Sequence, residues 1–457
     1  MSVSFFLNVS LVFGVARVGR NTSTIRFLGS PPSAAACADV CAAEPTRCWM
    51  FSFYPPSSPS KLAGGCYGLT DPSWSPVPED ATVSGSIDYP CRNDADCSFN
   101  GACATNGTCD CTHAWRGSRC EVLNLLPATR SAGFSPVDDG EPTTTWGGNV
   151  VECAAGFCMF ASEITRHCGI AAWGQNSRVV MATSLDAGGV FTRAASPNWP
   201  VFSHEPAAVM APSGEIALYY TASPRNASCT CVNGSTAPGD CNGAELGDGV
   251  SAPTLLSFAP SVNGPWSEPQ TLFADYKGAD LNFSPIIFAN GSVHALWRRW
   301  SGGSHVFLAH ATDWRNASSY TMERAELFPD VGAGGVEDMF LYQDPQGRFH
   351  AIFHHMFGVN STTSWWLVAA GAHAFSENGF DWTFGGVAWG NTTTQGYDIR
   401  YTDGTTFHYT RLERPAFAFG ADGLPSILYN AAQYGTGRSA TGTSGGDGAE
   451  TIAQPIG

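Results

Sequence analysis

Apolar and polar residues alternate in short runs through roughly the last three hundred residues of the chain, and the runs recur in a fixed order. A Pro-like position is followed by a Gly, in four of five copies eight residues later, and then by apolar residues at every second position, such as Ile216, Leu218 and Tyr220. Alternation with a period of two is typical of a half-buried strand. The five copies run from Gly148 to Gly156, Pro206 to Gly214, Pro285 to Gly291, Met339 to Gly347 and Pro415 to Gly423.

A second phrase follows the first in most copies, for example Ala182 before Ser184 and Ala374 before Ser376. Each unit therefore reads as strand, tight turn, strand, loop and strand, which is enough for one four-stranded sheet. Five such sheets around an axis leave few free edges. The sequence predicts an all-β chain with a five-bladed β-propeller, preceded by small disulfide-rich modules.

Composition narrows the class of protein. Charged residues are only 14 % of 457, which favours a turn-rich β architecture in several domains. The net charge of -16 argues against nucleic acid and anionic membranes as partners. Sixteen cysteines indicate an oxidising compartment and a secreted, extracellular protein. Glycosylation motifs are enriched as well: Asn8, Asn21, Asn106, Asn226, Asn233, Asn282, Asn290, Asn316, Asn360 and Asn391.

The N-terminal residues 1–26 have two interpretations. The apolar run from Ser4 to Ala16 has the length of a signal-peptide core but no preceding basic residue, so it is either a signal peptide or the first strand of the next domain. It is too short to cross a bilayer, and no other segment qualifies. We therefore expect no membrane span in this chain.

Residues 91–120 carry six cysteines spaced C-x5-C-x5-C-x5-C-x-C-x8-C. This segment resembles an EGF-like module. The resemblance implies the bridges Cys91–Cys103, Cys97–Cys109 and Cys111–Cys120, each stabilising by about 2–4 kcal/mol a segment too small for a sufficient core. Calcium is not expected, because the stretch from Gly85 to Pro90, with Asp88, does not match the carboxylates that the calcium-binding form carries just before its first cysteine. A plain spacer is the alternative role.

Residues 27–90 place Cys37 and Cys41 on an Ala-rich helix, followed by Cys48, an aromatic strand and Cys66. The arrangement resembles a PAN or apple domain, and the resemblance implies the bridges Cys37–Cys66 and Cys41–Cys48. The propeller is expected over residues 121–430. Residues 431–457 are rich in Gly, Ser, Thr and Ala, which predicts a disordered tail.

In an antiparallel blade the start of the first strand and the end of the second lie at the same mouth of the channel. The first-strand starts supply Trp146, Gly147, His204, Glu205, Phe283, Ser284, Glu337, Asp338, Glu413 and Arg414, and the second-strand ends supply Glu163, Tyr220, Trp297, Arg298, Arg299, His354, His355 and Asn430. Arg411 precedes the fifth start. Aromatic faces with charged groups around them are what a carbohydrate site requires. The substrate-binding candidates are Trp146, His204, Trp297, Arg298, His354, Arg411, Glu413 and Arg414.

Residues Leu125 to Asn430 resemble the five-bladed glycoside hydrolases of the arabinanase, xylosidase and invertase group. That resemblance implies an Asp base or nucleophile at blade one, an Asp at blade three and a Glu general acid at blade four. Glu337, Asp338 and Met339 fit the last slot, with Glu337 as the acid. Gly147 and Ser284 depart from the other two, and we hypothesise that Glu205 or Glu163 replaces the base. The catalytic candidates are Glu337, Glu205, Glu163 and Asp338.

Structural interpretations compete with these roles. Glu413 and Arg414 are a candidate buried ion pair, and Arg411 a candidate brace for Asp338. His350 and His354 stand four apart on a strand, about 13 Å apart at 3.3 Å per residue, so they do not share a metal. No cofactor motif or zinc spacing is present, and we expect neither a cofactor nor a metal.

Six cysteines lie in the propeller region. Cys153 and Cys158 flank a tight turn and are expected to pair. Cys168 is expected to pair with Cys229 or Cys231, and the other of these with Cys241. The insertion that carries them, residues 222–250, would then form a wall of the pocket.

Two functions remain open. One is a glycoside hydrolase; the other is a non-catalytic glycan-binding or adhesion protein, with a cell-surface or matrix partner for the N-terminal modules. A second carboxylate facing Glu337 favours the enzyme, whereas backbone alone at Gly147 favours binding.

Overall fold

The computed structural model describes residues 9–18, 25–43, 48, 50–57, 63–69, 75–87, 90–138, 141–166, 168–195, 199, 202–222, 252–274, 276, 280–300, 304–328, 335–356, 369–390, 396–434 and 448–457. Regular structure in these residues is almost entirely β-strand. The predicted all-β class is confirmed.

The N-terminal unit is a five-stranded antiparallel sheet with one helix. Its elements are β1 (Val9–Val18), β2 (Ile25–Gly29), α1 (Ala34–Ala42), β3 (Met50–Phe53), β4 (Cys66–Leu69) and β5 (Ser75–Ile87), with the strands in the order β1-β5-β3-β4-β2. Strand β1 covers residues 9–16 of the apolar run from Ser4 to Ala16, and residues 4–8 lie outside the described part. Helix α1 begins after Ser33, whose hydroxyl accepts from the backbone N–H of Ala36.

The cysteines of this unit join the helix to the sheet. Cys37 pairs with Cys66 and Cys41 with Cys48, which are the pairs that the PAN resemblance implies. The helical cysteines are fully buried against β3 together with Phe51. The two bridges therefore fix a helix whose own apolar face is short.

The second unit consists of small hairpins: β6 (Gly101–Cys103), β7 (Cys109–Cys111), β8 (Trp115–Arg116) and β9 (Val122–Leu123), after a 3-10 turn at Asp94–Cys97. Its bridges join Cys91 to Cys103, Cys97 to Cys109 and Cys111 to Cys120. These are the pairs implied by the EGF resemblance.

Three short strands, β10 (Gly133–Phe134), β11 (Val137–Asp138) and β12 (Glu141–Pro142), precede the propeller sheets. Blade one consists of β13 (Thr144–Cys153), β14 (Gly156–Ile164), β15 (Ser177–Ser184) and β16 (Thr192–Arg193), with helix α2 (Trp173–Asn176) after its second strand. Blade two consists of β17 (Ser203–Met210), β18 (Ile216–Ala222), β19 (Thr254–Ala259) and β20 (Gln270–Thr271), and blade three of β21 (Asp280–Ile287), β22 (Val293–Trp300), β23 (Ser304–Ala311) and β24 (Thr321–Glu326). Blade four consists of β25 (Gly335–Gln343), β26 (Phe349–Met356), β27 (Ala369–Ser376) and β28 (Thr383–Trp389). A hairpin, β29 (Tyr397–Arg400) with β30 (Thr406–Tyr409), leads to blade five.

Blade five is built from both ends of the propeller region. Strands β31 (Arg411–Phe419), β32 (Pro425–Gln433) and β33 (Ala449–Pro455) form a sheet whose fourth, outermost strand is β10. The prediction of a disordered tail over residues 431–457 is therefore wrong for 431–434 and 448–457; residues 435–447 lie outside the described part. The weakly apolar run of β33 is a strand because it pairs with β32 along its whole length.

The inner strands β13, β17, β21, β25 and β31 contact one another in cyclic order. Apolar side chains of neighbouring blades fill the space between them, such as Tyr219 of blade two with Phe283 of blade three. Successive residues of β18 alternate between two such interfaces, with Leu218 and Tyr220 packed toward blade one and Tyr219 toward blade three. The arrangement is that of a β-propeller.

The second unit packs on blade four at the end opposite the mouth. Arg348, in the turn between β25 and β26, lies 3.7 Å from the Asp94 carboxylate and donates to the Phe99 carbonyl at 3.2 Å. The Trp115 ring packs on His373 with centroids 4.7 Å apart. We term this end of the propeller, formed by the turns between the first and second strands, the turn face.

Cys153 and Cys158 pair across the first hairpin, as predicted. Cys168 is also disulfide-bonded. Its predicted partners Cys229, Cys231 and Cys241, and the insertion that carries them, lie outside the described residues. So do the motif residues Asn8, Asn21, Asn226, Asn233, Asn360 and Asn391. Within the described ranges, the helices are all too short or too polar to cross a membrane.

Candidate functional site

Each inner strand is interrupted by a bulge at the same level of the channel. The register breaks fall after Trp146, His204, Leu281, Glu337 and Glu413. The next residue in every blade has a positive φ: Gly147 at 72°, Glu205 at 55°, Asn282 at 62°, Asp338 at 58° and Arg414 at 54°. We term these five residues the bulge ring. Four of them are not glycine, and a left-handed backbone costs such a residue about 1–2 kcal/mol, so tertiary contacts must hold it.

Side chains of the bulge ring bind one another. Glu205 Oε2 accepts from both the backbone N and Nδ2 of Asn282, each at 2.9 Å. Asn282 Nδ2 also donates to Asp338 Oδ1 at 2.9 Å.

Arg414 closes the network. Its backbone N–H donates to Asp338 Oδ2 at 3.1 Å, and its guanidinium lies 2.7 Å from Glu205 Oε1. The ring thus seals the inner end of a channel of about 810 Å³, lined by the inner strands and reaching toward the turn face.

Gly147 contributes no side chain to the ring. A Cβ built on it would lie 2.7 Å from the Cβ of Arg414, so Arg414 occupies the space that a blade-one side chain would need. The blade-one slot in which the sequence analysis expects an Asp is therefore filled by an arginine from blade five.

A second group of charges lies on the mouth side of the ring. Glu337 Oε2 is 2.8 Å from the Arg298 guanidinium, and its Oε1 accepts from His354 Nδ1 at 3.2 Å. The same His354 nitrogen is 3.9 Å from Glu413. Arg411 binds both oxygens of Glu413, at 2.6 and 2.8 Å. We term Arg298, Glu337, His354, Glu413 and Arg411 the mouth cluster.

Exposure distinguishes members of the mouth cluster. The side chain of Glu337 is 16 % exposed and that of Arg411 is 26 % exposed. His354 and Glu413 are buried. Glu337 and Arg411 are therefore the members of the cluster that a ligand at the mouth reaches first.

Titration differs sharply within the site. Burial alone would raise the pKa of Glu337, but Arg298, His354 and Arg411 lower it to about 2. Burial raises the pKa of Asp338 to about 7, with help from the carboxylates of Glu337 and Glu205 and against the attraction of Arg414. The pKa of His354 is raised, because Glu413 and Glu337 outweigh the effect of its burial. Glu337 is thus ionised at neutral pH while Asp338 holds its proton more strongly.

Oxygen and nitrogen ligands for a cation are close together here. Glu337, Asp338, His354 and Glu413 each offer one atom, and these atoms lie within 4.8 Å of one another. Arg298 and Arg411 already supply positive charge beside two of these carboxylates. The residues therefore balance their charge without a metal ion.

Glu163 is not brought to the mouth cluster. Its carboxylate is buried between Arg178, 3.0 Å away, and Arg193. In strand β14 the preceding residue, Ser162, faces the bulge ring and accepts from the backbone N–H of Glu205. Because side chains alternate along a strand, Glu163 faces away, and its assignment as a catalytic base is wrong.

Two substrate-binding predictions also fail for reasons of packing. Trp297 is 2 % exposed in the core between blades two and three, against Phe273 at a centroid distance of 5.3 Å. His204 is buried, hydrogen-bonded to Ser177 at 2.6 Å and stacked on Trp173. Neither side chain is available to a ligand at the mouth.

Arg298, His354, Arg411 and Glu413 meet in the mouth cluster and Arg414 lies in the bulge ring, but their partners differ from the predicted ones. Trp146 is buried beneath the Arg411 guanidinium, 4.9 Å from the ring centroid. Glu413 pairs with Arg411 rather than with Arg414, and Arg414 rather than Arg411 contacts Asp338.

The position in blade three equivalent to Glu205 and Asp338 is Asn282, not Ser284. Ser284 instead accepts from the backbone N–H of Leu341, in blade four. The sequence held the signal: counted from Phe283, the interval to Gly291 is eight residues, as in every other copy. The third copy was aligned on Pro285, which lies two residues after the equivalent position, Phe283.

Trp173 was also missed. It begins helix α2 in the connection after β14, on the mouth side, and remains partly exposed while one face stacks on His204 at 5.0 Å. A single aromatic residue in a loop gives no periodic signal that would identify it.

No protein-family model and no curated protein matches this chain. Solved structures do resemble it. They include a thermostable family-43 glycoside hydrolase, at 11 % identity over 72 % of this chain and 92 % of that one with a TM-score of 0.45. Another is Zg3597, a family 117 glycoside hydrolase of the marine bacterium Zobellia galactanivorans, at 11 % identity over 75 % and 90 % with a TM-score of 0.43. A third is the alpha-L-arabinofuranosidase PaAbf62A of Podospora anserina, at 9 % identity over 74 % and 98 % with a TM-score of 0.46. These likenesses are distant, and the site is interpreted from the chain's own residues.

Proposed function

We propose that the protein is an extracellular carbohydrate-binding protein that holds a saccharide at the propeller mouth without hydrolysing it. One observation carries this proposal: every carboxylate predicted for hydrolysis lies beside an arginine, and Gly147 presents only backbone. Arg298 holds Glu337, and Arg414 holds Glu205 and lies 3.6 Å from Asp338. Glycoside hydrolysis canonically uses two carboxyl groups that flank the bond, one as the acid and the other as the base or nucleophile.

Fixed charges of this kind suit the recognition of hydroxyl groups. Glu337 presents an ionised acceptor and Arg411 a donor, each held in place by a partner, so little side-chain freedom is lost on binding. Trp173, on the same face, offers part of an indole surface to a sugar ring. The disulfides among the described residues are typical of proteins made in an oxidising compartment. The PAN-like and EGF-like units would then serve as attachment modules for a cell-surface or matrix partner.

The test compares binding and cleavage on one panel. Furanosides, xylosides and plant and algal polysaccharides are titrated against the secreted protein by calorimetry, and the same mixtures are assayed for released reducing ends. We expect binding without release. Glu337→Gln should weaken binding roughly 10- to 100-fold, the value of one hydrogen bond to a charged group. Glu215→Gln, an acidic turn residue on the opposite face, is the matched control and should bind normally.

Hydrolysis is the second candidate, and the opposed pKa values of Glu337 and Asp338 favour it. One carboxyl ionised and one protonated near neutral pH is the arrangement that acid–base catalysis uses. Release of reducing ends by the wild type, abolished in Glu337→Gln, would replace the binding proposal with this one.

A further inference from the structure

We infer that Asn106, Asn290 and Asn316 carry N-linked glycans and that Asn282, which has the same tripeptide motif, does not. The inference rests on the secretory passage that is part of the proposed function, but not on saccharide binding. In the transfer, Nδ2 of the asparagine bonds to the anomeric carbon of a lipid diphosphate-linked oligosaccharide, the lipid diphosphate leaves, and one amide proton is lost to solvent.

The three acceptor residues share one local geometry. Each is exposed, Asn106 and Asn290 in turns and Asn316 at the N-cap of the 3-10 helix Ala317–Ser319. Asn106 Oδ1 accepts from the N–H of Thr108 at 3.1 Å and from its hydroxyl at 2.8 Å, and Asn290 Oδ1 accepts from Ser292 in the same way, at 3.0 and 2.7 Å. Asn316 Oδ1 accepts from the N–H of Ser318 at 3.0 Å.

This geometry leaves the reacting atom accessible. The amide oxygen is bound within the motif, so Nδ2 points the other way, toward solvent. Among the described residues no hydrogen bond ties Nδ2 of these three asparagines. An attached sugar would extend into water without displacing any contact of the fold.

Asn282 is the opposite case. It is 5 % exposed, and its Nδ2 donates to both Glu205 and Asp338 in the bulge ring. The hydroxyl of its motif, that of Ser284, is likewise buried and accepts from Leu341. A glycan on Nδ2 would separate two buried carboxylates from their donor and would not fit in the ring. A chain glycosylated there before folding could not close its channel, so folded protein should lack this modification.

Asn290 and Asn316 lie together. Asn290 is in the turn between β21 and β22, and Asn316 is in the connection between β23 and β24, where the N–H of Trp314 donates to the Gly291 carbonyl at 2.9 Å. Both are on the turn face of blade three. The EGF-like unit covers the turn face of neighbouring blade four, so two glycans and one module would occupy the side of the propeller away from the mouth.

The experiment maps glycans on the full chain secreted from a eukaryotic host. The folded protein is digested with a peptide N-glycanase in 18O water, and asparagine-to-aspartate conversion is read by peptide mass spectrometry. We expect conversion at Asn106, Asn290 and Asn316 and an unmodified peptide at Asn282. Conversion at Asn282 in folded protein, or unmodified peptides at Asn290 and Asn316, would overturn the inference.

Single variants assign each glycan. Thr108→Ala, Ser292→Ala and Ser318→Ala should each remove one glycan by gel mobility, whereas Ser213→Ala, an exposed turn serine outside any motif, should remove none. Because the readout is glycan mass, it is independent of saccharide binding. A protein that is glycosylated as expected but binds no sugar would contradict only the proposed function.

Discussion

Arg414 is the only cation in the bulge ring, and its replacement by methionine should destabilise the propeller in a pH-dependent way. The substitution keeps a long side chain and the backbone hydrogen bond to Asp338, but leaves Glu205 without its ion pair. The side chains of Glu205 and Arg414 are 8 % and 12 % exposed. Removing one partner of a buried pair typically costs about 3–5 kcal/mol.

Protonation sets a ceiling on that cost. Glu205 in the folded variant can take up a proton instead of remaining charged. Protonating a carboxyl group whose unfolded-state pKa is about 4.3 lowers the unfolding free energy at pH 7 by about 3.7 kcal/mol. At pH 5 the same ceiling falls to about 1 kcal/mol. Arg414→Met should therefore lose about 3 to 3.7 kcal/mol of unfolding free energy at pH 7, and about 1 kcal/mol or less at pH 5.

The assay is equilibrium unfolding in guanidinium chloride at both pH values, with hydrogen exchange of the amides in β17 and β31 to separate the propeller from the N-terminal units. Glu205→Gln removes the unpaired charge, so the double variant Arg414→Met with Glu205→Gln should be more stable at pH 7 than Arg414→Met alone. Equal losses at the two pH values, or a double variant no more stable than the single one, would refute the reasoning.

Three further variants test other parts of the structure. Gly147→Asp restores the residue of the resembled hydrolases, yet its left-handed backbone and its approach to Arg414 should cost about 2–4 kcal/mol; a stable variant that gains hydrolytic activity would contradict this. Glu163→Gln should lower the unfolding free energy by about 1–3 kcal/mol while saccharide affinity, measured by calorimetry, stays unchanged; a parallel fall in affinity would return Glu163 to the site. The His350 and Arg348 side chains more than offset burial and lower the pKa of Asp344 to about 2, so the stability that Asp344 contributes is present above about pH 4 and is lost as pH falls toward 2. Asp344→Asn should therefore be less stable than the wild type at neutral pH and should lose less unfolding free energy between pH 4 and pH 2. If the stability of the variant falls over that acid range as steeply as that of the wild type, the ion pair is not the cause.

The repeated strands were predictable because apolar residues at every second position are typical of a β-strand. Every copy of the blade phrase became an inner strand followed by its hairpin, and the cysteine spacings matched the observed bridges. The third copy was the one irregular signal, because its Pro and Gly are six residues apart instead of eight. This irregularity marked the misplaced register, as a result of which Asn282 was not identified.

Side-chain direction was less predictable, because a bulge reverses the alternation locally. Counting from strand ends put Glu163 and Trp297 at the mouth, whereas one residue along the strand decides between channel and core. Strand β33 was missed because its residues are only weakly apolar and owe their order to β32. Sequence thus identified the ionisable residues of the centre, while their pairing depended on backbone geometry at five bulges.

Blade five couples distant parts of the chain in time as well as in space. Its outer strand β10 precedes the other four blades in the sequence, while β33 is synthesised after them. A chain that has been translated through blade four therefore still lacks β33, the strand that joins β10 to β32. The sheet of blade five can therefore form only after Ala449–Pro455 has been synthesised, and until then β10 and β32 each lack their common neighbour.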